Sequence, residues 1–161
     1  MLIPAAANDF DFFYSLYMHP QVNPYLLYEM MDEQSFTPIY NELLQQKVLY
    51  KYADGETEVG ICKLLFLKHR NSHIVYLGGF AINPAHGGKN YGFKMLQEII
   101  ALAKKNKILR IELSTSVENT KAINLYTKAG FTKEGIFKKY TYLKSENRFI
   151  DEVIMSYIFP T

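Results

Sequence analysis

The sequence predicts an α/β domain built on a mixed sheet, and three patterns predict it. Apolar runs over residues 73–82 and 109–116 flank a glycine-opened amphipathic stretch, a strand-helix-strand order whose two strands are expected to lie parallel. Asp54-Gly55 sits between strand-like runs at 48–52 and 58–67 and signals a hairpin. Two longer runs, 131–144 and 148–159, are joined by the polar turn Ser145-Glu146-Asn147.

In chain order, residues 8–18 read as a first helix, with Asn8 as the expected cap and Phe10, Phe13, Tyr14 and Tyr17 on one face. His19-Pro20 ends it. Residues 21–31 have no clean period and form an aromatic-rich connection, suited to a substrate lid or to plain packing. A second helix is expected over residues 32–46, with Thr37 as a possible true cap because Pro38 fits best in a first turn. The run 73–82 reads as a strand buried on both faces, and Gly78-Gly79 within it marks a bulge or a close approach. The next helix runs to about Lys105, its face built from Phe93, Leu96, Ile99, Ile100 and Ala103. Asn119 is expected to cap a fourth helix with the face Ala122, Leu125, Tyr126 and Ala129, and Gly130 stops it.

A length of 161 residues fits one domain over residues 1–161, with no repeat or linker. An apolar fraction of 48% against 21% charged residues is that of a folded chain. No apolar run approaches the roughly 18 residues of a membrane span, and Met1-Leu2-Ile3-Pro4 lacks the layout of a secretory signal, so a cytoplasmic protein without membrane contact is expected. The single Cys62 allows no internal disulfide, and with no Asp/His cluster in view no metal is expected. A net charge of +2 gives no argument for nucleic acid; Lys104, Lys105 and Lys107 complement a helix end instead.

The stretch that organises the rest is Ile82-Asn83-Pro84-Ala85-His86-Gly87-Gly88-Lys89-Asn90-Tyr91-Gly92. Its glycines and asparagine tolerate positive φ, and a helix begins behind them. Such a junction aims N–H groups and the positive helix end at a phosphate or pyrophosphate. It is no Walker loop, because Gly92 is followed by Phe93-Lys94-Met95, and it contains no G-x-G-x-x-G.

With the later run Asn119-x-x-Ala122-x-x-Leu125-Tyr126-x-Lys128-x-Gly130-Phe131, this stretch resembles the GCN5-related N-acetyltransferases (GNAT). Glu134-Gly135 and residues 151–155 resemble the bacterial branch of ribosomal-protein and small-amine acetyltransferases, and the likeness spans essentially the whole chain. The resemblance implies a GNAT fold: a largely antiparallel mixed sheet, splayed at its centre and flanked by about four helices. It implies acetyl-CoA (coenzyme A) as cofactor, an acetyl group moved to a primary amine by direct attack, and an acceptor that is a small molecule or a peptide N-terminus. A homodimer through the late strands is compatible with it. The alternative is a GNAT-like domain that binds acyl-CoA as a sensor or interaction module without catalysis.

Carried over by position, the resemblance places the pyrophosphate against Gly87, Gly88, Lys89, Asn90, Tyr91, Gly92 and Phe93. It places the pantetheine arm along the edge Phe80, Ala81 and Ile82. Asn119 and Ala122 are implied as further cofactor contacts, and Tyr126 as both a contact and the acid that assists the leaving thiolate. A phenol of pKa about 10 can give a proton or hydrogen bond to a thiolate of about 8.5. On its residue type alone Tyr126 would read as core. Gly87 departs from the usual Arg or Gln, and Asn90 from the usual Gly. Either the cofactor is held more weakly or His86 and Lys89 compensate. No carboxylate occurs in 73–82, and Ser114 stands at the other position where the family places a base. Glu112, on the same strand face, is the candidate base, although a structural ion pair is its commoner role. Tyr28, Glu29 and Asp151 are candidates for binding the amine.

Overall fold

The computed structural model describes all 161 residues, Met1–Thr161. Its elements are β1 (Leu2–Pro4), α1 (Phe10–Tyr17), α2 (Glu33–Gln46), β2 (Leu49–Asp54), β3 (Thr57–Phe66), β4 (Ile74–Ile82), α3 (Tyr91–Lys105), β5 (Arg110–Ser116), α4 (Thr120–Lys128), β6 (Thr132–Leu143) and β7 (Arg148–Ile158). The sheet has seven strands in the order β1-β2-β3-β4-β5-β7-β6. The pairs β1/β2, β2/β3, β5/β7 and β6/β7 are antiparallel, whereas β4/β5 is parallel. That parallel ladder joins Ile74, Val75 and Tyr76 to Arg110, Ile111 and Glu112, and both strands run on beyond it. The expected α/β architecture, with a mixed and largely antiparallel sheet and four flanking helices, is the one observed. No helix is long and apolar enough to cross a membrane.

The chain divides into two compact units, residues 1–64 with 79–95, and residues 65–78 with 96–161. In the first, an aromatic core gathers Phe13, Leu16, Tyr17, Phe36, Tyr40 and Ile61, each nearly or fully buried. Tyr17 and Phe36 approach to 5.3 Å between ring centroids, and the Tyr40 hydroxyl donates to Ala6 O at 2.6 Å. The short strand β1 is absent from the sequence reading, since three residues ending in Pro4 carry no periodicity.

The first helix begins later than expected. A single 3-10 turn, Ala7–Asp9, precedes it, and Asp9 rather than Asn8 organises the entry. Its carboxylate accepts from Ala6 N–H at 2.8 Å and from Lys51 Nζ at 2.7 Å. At α2 the cap is Asp32, which accepts from Ser35 N–H at 2.8 Å, while the Thr37 hydroxyl donates to Glu33 O at 2.7 Å. Pro38 therefore lies inside the helix, past the first turn. Residues 26–31 form an irregular connection after the 3-10 turn Asn23–Tyr25. Asn23 fixes it, its amide donating to Tyr17 O and Tyr28 O at 2.8 and 2.9 Å.

In the second unit Leu96, Ile99, Ala103, Ile111, Leu113, Ile123, Phe131, Val153 and Met155 are buried. Their alternation along β5 matches the expected period of two, with Ile111 and Leu113 on the buried face. On α4 the buried residues are Ile123 and Tyr126, while Ala122, Leu125 and Ala129 of the expected face are half-buried. Along β4 burial alternates instead of covering both faces, because only Val75, Leu77 and Ala81 are buried.

Candidate functional site

The first unit carries the glycine junction. Asn83 ends β4, and its side chain accepts from Ala85 N–H at 3.0 Å, which starts the 3-10 turn Pro84–His86. His86 N–H and Gly87 N–H close that turn onto Asn83 O and Pro84 O. The chain then reverses through Gly88 at φ +77° and Asn90 at φ +63°. Asn90 thus supplies the left-handed geometry that its residue type allows. Gly87 is extended, at φ −63° and ψ 155°, so its place asks nothing of a glycine backbone. A Cβ added at Gly88 would meet nothing within 4 Å, so the turn faces open space.

Helix α3 starts directly behind this turn. Its Lys94 N–H bonds to Asn90 O at 3.2 Å, and the N–H groups of the turn ahead have no acceptor within the helix. Tyr91 anchors the start by donating its hydroxyl to Asp54 Oδ2 at 2.7 Å, at the β2–β3 hairpin. Lys94 Nζ lies 5.5 Å above the Tyr91 ring, and His86 meets the same ring edge-on. The junction therefore combines open backbone donors, a helix N-terminus and the cationic side chains Lys89 and Lys94 nearby. This fits an anionic phosphate group, the part of acetyl-CoA assigned to residues 87–93.

Two glycines shape the strand before it. Gly79 has φ +54°, and a Cβ there would lie 2.9 Å from the Tyr17 hydroxyl. Gly60 on β3 lets Ala81 and Ile82 approach closely, since its own Cβ would meet Ile82 Cδ1 at 2.8 Å and Ala81 O at 3.0 Å. Ala81 is buried, whereas Phe80 and Ile82 are half-buried. Gly60 has no motif around it and went unremarked in the sequence. Its signal was only a glycine inside a strand-like run.

Tyr28 and Glu29 also lie in the first unit. The Tyr28 ring packs on Tyr17 at 5.7 Å and burial raises its phenol pKa, while Glu29 is exposed. Cys62 is buried, and burial pushes its thiol pKa upward, so it stays protonated.

The second unit holds the other candidates. Asn119 caps α4, its side chain accepting from Ala122 N–H at 3.3 Å, and Ser116 Oγ accepts from Glu118 N–H just before it. Ala122 is half-buried. Tyr126 is 6% exposed, with its ring 5.8 Å from that of Phe131. Phe131 in turn packs on Tyr157. Asp151 accepts from Lys139 N–H at 2.8 Å and faces Lys138 Nζ at 3.5 Å, contacts that hold its carboxyl below the usual range. It thereby braces the register shift of β6 where Lys139 takes φ +50°.

Glu112 accepts from Arg110 Nε at 2.8 Å, and the same guanidinium grips Glu134 with two bonds of 2.7 and 2.8 Å. Arg110, helped by the Ser156 hydroxyl, holds the Glu134 carboxyl down to about 2. The residue that the sequence reading missed is Glu152, which accepts hydroxyl hydrogen bonds from Ser114 at 2.7 Å and from Thr141. Ser114 pairs with Ile154 and Ser116 with Glu152, so Ser114 and Glu152 are diagonal neighbours across the ladder. No spacing along one chain segment encodes such a meeting.

Comparison with known proteins bears on the family and the fold. The model of the acetyltransferase (GNAT) family matches residues 10–131. The chain is 31% identical over 96 residues to the N-acetyltransferase aca1 of Schizosaccharomyces pombe, a match covering 57% of this chain. It spans only 44% of that relative's length. Among solved structures, the spermidine N-acetyltransferase of Vibrio cholerae, in complex with CoA and spermine, superposes with a TM-score of 0.83 at 19% identity, over 98% of this chain and 94% of that one. The ribosomal-protein-alanine N-acetyltransferase of Brucella melitensis gives 0.79 at 17% identity, over 99% of both chains. With the family match spanning most of its length, the chain belongs to the acetyltransferase (GNAT) family.

Proposed function

We propose that this chain is an acetyl-CoA-dependent N-acetyltransferase acting on a primary amine. The observation that carries the reading is the left-handed turn at Gly88 and Asn90 feeding the N-terminus of α3. Acetyl-CoA supplies an acyl group activated as a thioester.

Each residue has a definite task. Backbone donors in the turn that begins at Gly88 would hold the pyrophosphate, with Lys89 adding charge and Gly87 shaping the approach, its own N–H being bonded to Pro84 O. The strand edge Phe80, Ala81 and Ile82 pairs with the amide-bearing pantetheine arm. Asn119 and Ala122 bound the cofactor at the start of α4, Asn119 doing so while it caps the helix. Tyr126 would hydrogen-bond to the departing sulfur and supply its proton, a role open to a phenol because its ordinary pKa of about 10 lies above the thiol's of about 8.5. Tyr28 and Glu29 belong to the acceptor side. Asp151 supports the same side through the β6 turn that it braces.

The second reading, acyl-CoA binding without transfer, is favoured by the ion pair that engages Glu112, the residue proposed as base. A CoA-release assay with acetyl-CoA and a panel of amines and peptides separates the two. Release with at least one amine is expected. Binding of acetyl-CoA without release from any amine would leave only the binding reading, and absence of CoA affinity would remove both. Tyr126→Phe should lower turnover by about 10- to 100-fold with little change in CoA affinity, the pattern of a transition-state interaction.

A further inference from the structure

The second unit contains a cavity of about 430 Å³ on the β5–β7 face, within the size range of small-ligand sites. Tyr76, Phe137 and Tyr140 are among its walls, and Arg110, Glu112, Ser114 and Glu134 bring polar groups to it. The charges there are unequal. Arg110 is shared between Glu112 and Glu134, so one guanidinium answers two carboxylates. Glu152, hydrogen-bonded to the lining Ser114, adds a third carboxylate that is held by hydroxyls alone. Tyr76, whose phenol pKa is raised by burial, stays neutral beside the same Ser114. The site is therefore anionic at one end and aromatic elsewhere, and aromatic faces also favour cations.

We infer that this cavity selects the acceptor as a small alkylammonium without a neighbouring carboxylate, its charge met by Glu152 through the Ser114 corner and its stem lying against Tyr140 and Phe137. The inference rests on the acetyltransferase reading and names the substrate class for it. A carboxylate on the acceptor would enter a site where three carboxylates outnumber the one guanidinium, already shared by two of them, and be disfavoured by repulsion. A di- or polyamine fits; a free amino acid does not.

Cadaverine and lysine test this, because they differ by one carboxylate. With the full chain and saturating acetyl-CoA, kcat/KM for cadaverine should exceed that for lysine by about tenfold or more, the factor expected from one unfavourable charge pair. Glu152→Gln should raise the cadaverine KM by about tenfold, narrow the preference and leave kcat within about twofold, the signature of a binding contact. Tyr140→Ala, at an exposed wall position, should raise KM for both amines. Equal kcat/KM for the pair, an undiminished preference in folded Glu152→Gln, or acetylation of peptide N-termini alone would overturn the inference. If no amine releases CoA, titration calorimetry of cadaverine into the CoA-loaded protein decides it separately. Binding that Glu152→Gln weakens keeps the cavity assignment while the transfer reading fails, and no binding to the wild type refutes the cavity.

Discussion

Gly60 offers a direct test of how packing sets the strand edge proposed for the cofactor. Its backbone is free of the left-handed strain seen elsewhere, so Gly60→Ala asks only for space. The new methyl would sit 2.8 Å from Ile82 Cδ1, 3.1 Å from Met95 Sδ and 3.0 Å from Ala81 O. The Ile82 tip and the Met95 thioether can rotate away. The Ala81 carbonyl moves only with β4, so the strand must shift by a few tenths of an ångström. Overpacking of this kind costs about 1–3 kcal/mol. Each kcal/mol lowers Tm by roughly 2–4 °C in a chain of this size, so Tm should fall by roughly 2–12 °C. The same shift displaces Phe80, Ala81 and Ile82, and affinity for CoA should fall with it. Thermal unfolding and calorimetry with CoA read the two effects, and Gly135→Ala is the comparator, since a Cβ there meets nothing within 4 Å. Adding Ile82→Ala removes one of the three contacts and should restore part of the Tm but not the affinity. If Gly60→Ala matches Gly135→Ala in both Tm and CoA affinity, the account of this strand edge is wrong.

Other perturbations probe separate elements. Gly87→Arg should be tolerated, because Gly87 is extended and its Cβ would meet only Pro84 O at 3.3 Å; a new charged phosphate contact should tighten CoA binding by about 5- to 10-fold in calorimetry. Lys47 closes α2 at φ +57°, so Lys47→Gly relieves a left-handed side chain and should add roughly 0.5–1 kcal/mol in urea unfolding. Glu134 has a folded pKa pushed down to about 2, so its contribution to stability is complete above the ordinary carboxylate value and disappears as pH falls through about 2. Glu134→Gln should therefore lower the urea midpoint near neutral pH and converge with the wild type in strong acid; a constant difference across that range would contradict the ion-pair account.

Legibility in the sequence followed the range of the interactions. Local conformational demands were readable: Asn119 does cap α4, Asn90 does take the left-handed turn, and Gly130 at φ +106° does end the fourth helix. The hairpin at Asp54-Gly55 and the β4–α3–β5 unit were readable for the same reason. Competition between local signals was harder, and Asp32 displaced Thr37 as a cap because it reaches the Ser35 N–H ahead of Pro38. Contacts made across strands were invisible. Glu152 meets Ser114 only through the β5–β7 register, and Asp151 finds Lys139 only because β6 shifts its pairing there. The polar cluster around Ser114 and Glu152 is built from such meetings, whereas the glycine junction is one contiguous turn.

That contiguous turn has an evolutionary consequence. Where a ligand is held by peptide groups, truncating a side chain leaves the holding atoms in place, so alanine replacement at Lys89 would remove only its added charge and keep the backbone donors. The informative changes are conformational ones, at Gly88 and Asn90, where a β-branched residue withdraws the backbone angle itself. Sequence drift in this loop is therefore constrained first by which residues can turn left at positions 88 and 90.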